Sequence, residues 1–107
     1  MSPPPPSAKW NAIKLAPDDT VATALSALDP DTTPRISGGD AGQAPRIVEP
    51  IPRGHKFALA DIAAGATVFK YGAPIGIATE DIRSGAHVHL HNLEGFAGTE
   101  ARRERRA

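Results

Sequence analysis

An eight-residue segment of the sequence occurs twice, twenty residues apart. DIAAGATV covers residues 61–68, DIRSGAHV covers residues 81–88, and a shorter form, IPRGHKF, covers residues 51–57. Each copy predicts a buried Ile, a turn whose Gly takes a positive φ, and a strand that begins by burying an apolar residue. The Asp that opens each full copy is expected to cap the turn through its side chain. A spacing of twenty residues is too short for a helical repeat, and two full copies are too few for a solenoid, so the repeat favours a compact fold of short strands and tight corners.

Most of the chain predicts strands, because short runs rich in branched residues alternate with Gly and Pro. One segment favours a helix instead. In TVATALSAL, the residues Val21, Leu25 and Leu28 lie at i, i+4 and i+7 and form one apolar stripe. Asp18 or Asp19 is expected to cap this helix. We therefore expect a mainly β domain with one helix (α+β class). The predicted strands cover residues 12–15, 46–49, 56–59, 67–71, 76–79 and 87–91.

The two ends of the sequence differ from its middle. Residues 1–10 contain four consecutive prolines and are expected to form a disordered, Pro-rich tail. Residues 97–107 are charged and lack an apolar face, so we expect a second tail there. The folded domain is then expected to span residues 11–96.

Composition excludes several classes of function. The 12 basic and 12 acidic residues leave no net charge, whereas a nucleic-acid-binding domain usually carries a basic face, so no nucleic-acid partner is expected. The absence of Cys excludes thiolate nucleophiles and Cys-based zinc sites. No apolar run approaches the ~20 residues that cross a bilayer, and no secretory signal is visible. We therefore expect a cytoplasmic protein without a membrane partner.

Three of the four histidines lie at every second residue: His87, His89 and His91. On a strand these side chains would share one polar face, while Val88 and Leu90 would face the core. Same-face neighbours lie ~6.6–7 Å apart along a strand, so two imidazoles can converge on one metal ion at ~2 Å per nitrogen. A third imidazole reaches the ion only where the strand bends. The alternative is an edge strand with three solvated histidines.

Three further polar residues are candidate substrate contacts. His55 follows Gly54 at a turn, where it either bonds the backbone or belongs to a site. Lys56 either pairs with a substrate carboxylate or is solvated. Asn92 either orients a ligand or caps the end of the strand. Tyr71 is expected to pack before a turn.

Several motifs agree in order and spacing with one known family. They are GHK at residues 54–56, DIxxG at 61–65, KYG at 70–72, IG at 75–76, DIxxG at 81–85 and HVHLHN at 87–92. These residues closely resemble the SAF domain of the altronate dehydratase family, which includes galactarate dehydratase and the two-subunit sulfolactate sulfo-lyase. DTVATAL at residues 19–25 resembles the start of the same domain, so the resemblance covers about residues 12–94. It implies a SAF-type, β-clip-like fold.

The resemblance also implies a function. The chain would be the small subunit of a sugar-acid dehydratase or lyase that eliminates water or sulfite from an altronate-like or other 2-hydroxy acid. A divalent metal ion (Fe²⁺, Mn²⁺ or Zn²⁺) held by the three alternating histidines would act as a Lewis acid. A large catalytic subunit would carry the general base, so the small subunit is expected to be inactive alone. The alternative is a non-catalytic SAF module for ligand binding or assembly. Open strand edges favour a homo-oligomer when the partner is missing.

Overall fold

The computed structural model describes residues 10–38 and 44–96. Almost all of the two expected tails, residues 1–9 and 97–107, therefore lies outside the described residues, as do residues 39–43 of a loop rich in Gly and Pro. No helix within the described ranges is long and apolar enough to cross a membrane.

Residues 10–38 and 44–95 form eight short strands and no helix. The strands are β1 (Ala12–Ile13), β2 (Val21–Ala24), β3 (Ile36–Ser37), β4 (Lys56–Ala58), β5 (Thr67–Lys70), β6 (Ala73–Ala78), β7 (His87–Val88) and β8 (Leu93–Gly95). Five of them form a sheet in the order β3-β1-β2-β4-β7, and β5-β6-β8 form a second sheet. All pairs are antiparallel except β1 with β3.

The predicted helix is wrong, because its first residues form strand β2 between β1 and β4. Val21 on this strand packs in one core cluster, while Ala22 and Ala24 pack in the other. The strand is therefore buried on both faces and bonded to neighbours on both edges. Burial on two faces and two strand ladders outweigh the helical spacing of three apolar residues. The fold is mainly β, and the single helix of the expected α+β class is absent from this part of the chain.

Asp19 does not cap a helix either. Its carboxylate accepts hydrogen bonds from the backbone amides of Leu15 and Ala16, which precede it, and from that of Gly72. The side chain is buried, with 6% of its surface exposed. It joins the segment before β2 to the turn after β5.

The repeated segments pair with each other through their isoleucines. The N–H of Ile62 donates to the carbonyl of Ile82 at 2.8 Å, and the N–H of Ile82 donates back at 2.7 Å. The short copy pairs in the same way, Ile51 with Leu28. The glycines of all three copies have φ between 82° and 85°, which confirms the predicted turns.

The aspartates of the two full copies cap turns, as predicted, but each caps the turn of the other copy. Asp61 accepts a hydrogen bond from the amide of Ser84 at 2.8 Å. Asp81 accepts one from the amide of Ala64 at 2.9 Å. The two copies are therefore reciprocal parts of one unit.

Five of the six predicted strand segments contain a strand. Residues 46–49 do not: they form an irregular segment in which Ile47 is fully buried and exchanges backbone hydrogen bonds with Asp31 and Thr32. Strand β7 ends at Val88, three residues before the predicted end. This early end decides the arrangement of the histidines.

Candidate functional site

The four histidines come from two parts of the chain. His87 lies on β7, and His89 and His91 lie in the turn that follows this strand. His55 lies directly before β4. The strand face predicted for residues 87–91 does not form, because the chain turns after Val88. The turn brings imidazoles together that an extended strand would keep apart.

Three of the imidazoles form a cluster: His55, His87 and His89. Each offers one ring nitrogen, and these three atoms lie within 4.8 Å of one another. The Nδ1 atom of His55 lies 2.8 Å from Nε2 of His87, so one ring donates a hydrogen bond to the other. All three side chains are half-buried. We call this group the histidine cluster.

His91 is exposed and lies outside the histidine cluster, with its ring centroid 5.3 Å from that of His87. The structure therefore brings together His87 and His89, two of the three predicted ligands. It adds His55, which sequence reasoning assigned to the substrate. A metal-binding role for His91 stays a prediction.

Strand pairing explains why His55 joins the cluster. Strands β4 and β7 are antiparallel, with Phe57 opposite His87 and Lys56 opposite Val88. Continuing this register by one residue puts His55 opposite His89, and their rings stack with centroids 4.2 Å apart. The short repeat copy also carries a His, but nothing in the sequence specifies the pairing of these two strands.

Asn92 fixes the turn that carries His89. Its Oδ1 accepts a hydrogen bond from the amide of His89 at 2.9 Å, and its Nδ2 donates to the carbonyl of His87 at 2.8 Å. Only 5% of Asn92 is exposed. These bonds hold the turn, and a substrate contact by Asn92 stays a prediction. Leu90, expected to face the core, instead lies at the tip of the turn and is 84% exposed.

The environment of the cluster favours neutral imidazoles. Burial lowers the pKa of His87, and the nearby His55, His91 and His89 lower it further, while Glu49 opposes them. Burial and the charges of His55, Lys56 and His91 likewise lower the pKa of His89. A neutral imidazole keeps the lone pair with which it binds a metal ion. Both shifts therefore favour metal binding at neutral pH.

Glu49 is a residue that the sequence did not single out. Its carboxylate accepts a hydrogen bond from the backbone amide of His87 at 3.0 Å. It comes from the irregular segment of residues 46–49, beside the start of β7. No repeat or motif in the sequence pointed to it.

The donor set of the cluster fits a divalent metal ion. Two nitrogens bound to one ion at ~2.1 Å lie at most ~4.2 Å apart, so the observed limit of 4.8 Å requires only small side-chain shifts. Imidazole suits zinc and iron, among other divalent ions. Three protein ligands leave coordination positions open, as catalytic sites do.

Lys56 lies beside the cluster on β4, directly after His55. Burial lowers the pKa of its ammonium group, and the charge of Lys70 lowers it further. The ammonium forms no ion pair with a described residue. Its position next to the cluster is compatible with the predicted contact to a substrate carboxylate.

Comparison with known proteins gives one family and several relatives. The model of the altronate/galactarate dehydratase SAF domain matches residues 10–95. Altronate dehydratase of Escherichia coli (strain K12) is 48% identical over 80 residues, which are 75% of this chain and 15% of that enzyme.

Two relatives are separate subunits. The (2R)-sulfolactate sulfo-lyase subunit alpha of Chromohalobacter salexigens is 46% identical over 48 residues, 45% of this chain and 51% of the subunit. That of Paracoccus pantotrophus is 52% identical over 44 residues, 41% of this chain and 66% of the subunit. The match thus spans about half to two thirds of these subunits and a small part of the dehydratase.

Proposed function

The chain belongs to the altronate/galactarate dehydratase SAF-domain family, and from this premise we propose that it is the small subunit of a dehydratase or lyase acting on a 2-hydroxy acid. The reaction is a β-elimination: a base removes the proton α to the carboxylate, and water or sulfite leaves from the β carbon. The names of the relatives support this reaction class, since they are a dehydratase and subunits of a sulfo-lyase.

The observation that carries the proposal is the convergence of His55, His87 and His89 from two separate segments. We assign them as ligands of a divalent ion (Fe²⁺, Mn²⁺ or Zn²⁺). The bound ion supplies a Lewis acid that stabilises negative charge developing on the substrate oxygens.

The remaining residues of the site orient the metal ligands or contact the substrate. Asn92 and Glu49 hold the backbone of the turn and of β7, which orients the rings of His89 and His87. Lys56 faces the substrate carboxylate with its ammonium group. An imidazole that gives its lone pair to a metal ion cannot also accept a proton, so we assign the general base to a larger partner chain.

Co-expression tests the proposed function. The chain is produced with the large dehydratase-like protein encoded beside it, and formation of 2-oxo acid is measured from altronate, galactarate and (2R)-sulfolactate. We expect the two chains to copurify and the elimination to require both. Failure to associate, or equal activity of the large chain alone, contradicts the proposal. Acid binding without elimination favours the non-catalytic module instead.

A metal titration tests the histidine cluster separately. Zn²⁺, Mn²⁺ and Fe²⁺ are titrated into the isolated chain and into a double variant, His87→Ala with His89→Ala, by calorimetry. We expect the double variant to lose the binding. His91→Ala removes the exposed imidazole next to the cluster: unchanged binding limits the site to the cluster, and weaker binding adds His91 to the ligands. Equal binding by the wild type and the double variant rules out this metal site.

A further inference from the structure

Four polar side chains form a second surface beside the histidine cluster. Lys56 on β4 is paired in register with Thr23 on β2. The hydroxyl of Thr23 lies 3.3 Å from that of Tyr71, in the turn after β5. The Nζ atom of Lys70 lies 4.9 Å from the centroid of the Tyr71 ring. We call these four residues the lysine surface.

The lysine surface is positively charged, and no carboxylate of a described residue forms an ion pair with it. Neither Lys56 nor Lys70 forms an ion pair with a described residue. Lys56 lies opposite Thr23, and Lys70 lies over the ring whose hydroxyl contacts Thr23, so the two ammonium groups belong to one surface. Asp19, whose carboxylate contacts this turn, is buried and accepts hydrogen bonds from backbone amides instead. Two like charges held in this way favour an anion between them.

The turn that carries Tyr71 is held in an uncommon conformation. Tyr71 has φ 56° and Gly72 has φ 79°. A positive φ is rare for a bulky residue and is maintained only where the surroundings enforce it. Here the amide of Gly72 donates to the buried carboxylate of Asp19 at 2.8 Å. The result is a ring that is 42% exposed, rather than packed as expected, with its hydroxyl over Thr23.

We propose that the lysine surface binds the carboxylate of a small polyhydroxy acid. The ammonium groups of Lys56 and Lys70 face the carboxylate. The hydroxyl of Thr23, which accepts the hydrogen of the Tyr71 hydroxyl, donates to an oxygen of the same ligand, and the oxygen of Tyr71 accepts a hydrogen bond from a ligand hydroxyl. The use of this surface as the carboxylate subsite of an enzyme rests on the proposed function, whereas the binding of the anion does not.

The test is a titration of the full ¹⁵N-labelled chain with D-gluconate, followed by NMR. Sorbitol, an uncharged polyol of the same chain length, is the matched ligand. We expect gluconate to give saturable shifts of the amides of the lysine surface and sorbitol to give none. Lys70→Gln should weaken binding about tenfold, as expected for the loss of a hydrogen bond between charged groups. Lys14→Gln, directly after β1 and beside β3, should leave binding unchanged.

Tyr71→Phe provides a second variant that removes one hydroxyl and keeps the ring. It should weaken binding less than Lys70→Gln does, and added NaCl should weaken binding in the wild type. The absence of saturable shifts, equal effects of sorbitol, or unchanged binding by Lys70→Gln would overturn the inference. Gluconate binding at these residues supports the anion site even if the co-expressed chains show no elimination, and that second result would count against the proposed function alone.

Discussion

Asp61 and Asp81 each stabilise the turn of the other's repeat copy. The carboxylate of Asp61 accepts the amide hydrogen of Ser84, and that of Asp81 accepts the amide hydrogen of Ala64. Each turn has one backbone hydrogen bond of its own, from Ala66 to Ala63 or from Ala86 to Arg83, and takes its side-chain cap from the other copy. The two copies contribute to stability as a pair.

Replacing either aspartate should destabilise the domain. Asp61→Ala or Asp81→Ala removes one side-chain acceptor from an exposed turn, so we expect each to lower the free energy of unfolding by about 1 kcal/mol. Urea denaturation measures the change. Glu80→Ala is the control, because Glu80 is an exposed acid next to Asp81 that caps neither turn. An equal loss in the control would show that the caps contribute nothing specific.

Two repeat glycines offer a matched pair of substitutions. Gly65 and Gly85 have the same positive φ, but a Cβ at Gly65 meets nothing within 4 Å, whereas one at Gly85 would overlap the carbonyl oxygen of Arg46. Gly65→Ala should cost about 1 kcal/mol from backbone strain alone. Gly85→Ala should cost roughly 3 kcal/mol or more, because the backbone must also move. Similar thermal midpoints for the two variants would contradict the close approach of residue 46.

Asp19 should make stability depend on pH in the acid range. Burial raises the pKa of this carboxyl, but hydrogen bonds from the amides of Gly72, Ala16, Leu15 and Tyr71 together hold it below the ordinary 3.8. The stabilisation is therefore complete above pH 3.8 and is lost as pH falls through the lower folded pKa.

Asp19→Asn tests this dependence. The substitution should cost about 1–3 kcal/mol at neutral pH, since hydrogen bonds to a charged acceptor are replaced by weaker ones. The loss should shrink in acid, as followed by denaturation over a pH series. Asp18→Asn, at the exposed neighbouring position, is the control. A loss that stays constant down to strongly acidic pH would refute the ionised Asp19.

The histidine cluster should make the stability of the domain depend on pH just below neutrality. The pKa values of His87 and His89 lie below the ordinary 6.5, so the unfolded chain takes up protons at a higher pH than the folded one. Stability is then complete above pH 6.5 and falls as pH drops through the lowered values. Denaturation between about pH 7.5 and 5.5 measures this slope. The double variant His87→Asn with His89→Asn should flatten it, and an unchanged slope would assign the effect to other groups.

Replacing Asn92 should destabilise the domain. Asn92→Ala leaves the amide of His89 and the carbonyl of His87 without their partner, so it should cost about 1–3 kcal/mol. Asn92→Asp keeps the acceptor for His89 but puts a carboxylate oxygen against the carbonyl of His87 at a buried position, so its cost should be at least as large. Both variants should weaken metal binding by loosening the turn. If either variant raises the KM of the co-expressed enzyme while the stability of the domain is unchanged, Asn92 is a substrate contact instead.

The sequence predicted the elements whose signals are local. The turn glycines of the repeat and most of the strands after residue 55 depend on neighbouring residues, and the structure contains them. Strand β2 was missed because its small apolar residues pack on both faces of a central strand, so they show no alternation. The spacing of Val21, Leu25 and Leu28 then favoured a helix. Leu25 in this stripe is 41% exposed in the structure.

The site was predictable to a similar extent. His87 and His89 were found because they are close in the sequence. His55 joins them only through the pairing of β4 with β7, and a strand register between distant segments leaves no mark on a single sequence. Long-range contacts likewise bring Glu49 to the histidine cluster and Tyr71 to the lysine surface.

His55 and His87 are 32 residues apart in the chain, yet their rings are hydrogen-bonded. A fold made mostly of such non-local contacts closes long loops before those contacts form, which slows folding. The cluster therefore requires the pairing of β4 with β7 and cannot form from either segment alone. An ion that binds all three imidazoles binds the native state in preference to the unfolded chain. It therefore raises the free energy of unfolding as its concentration rises.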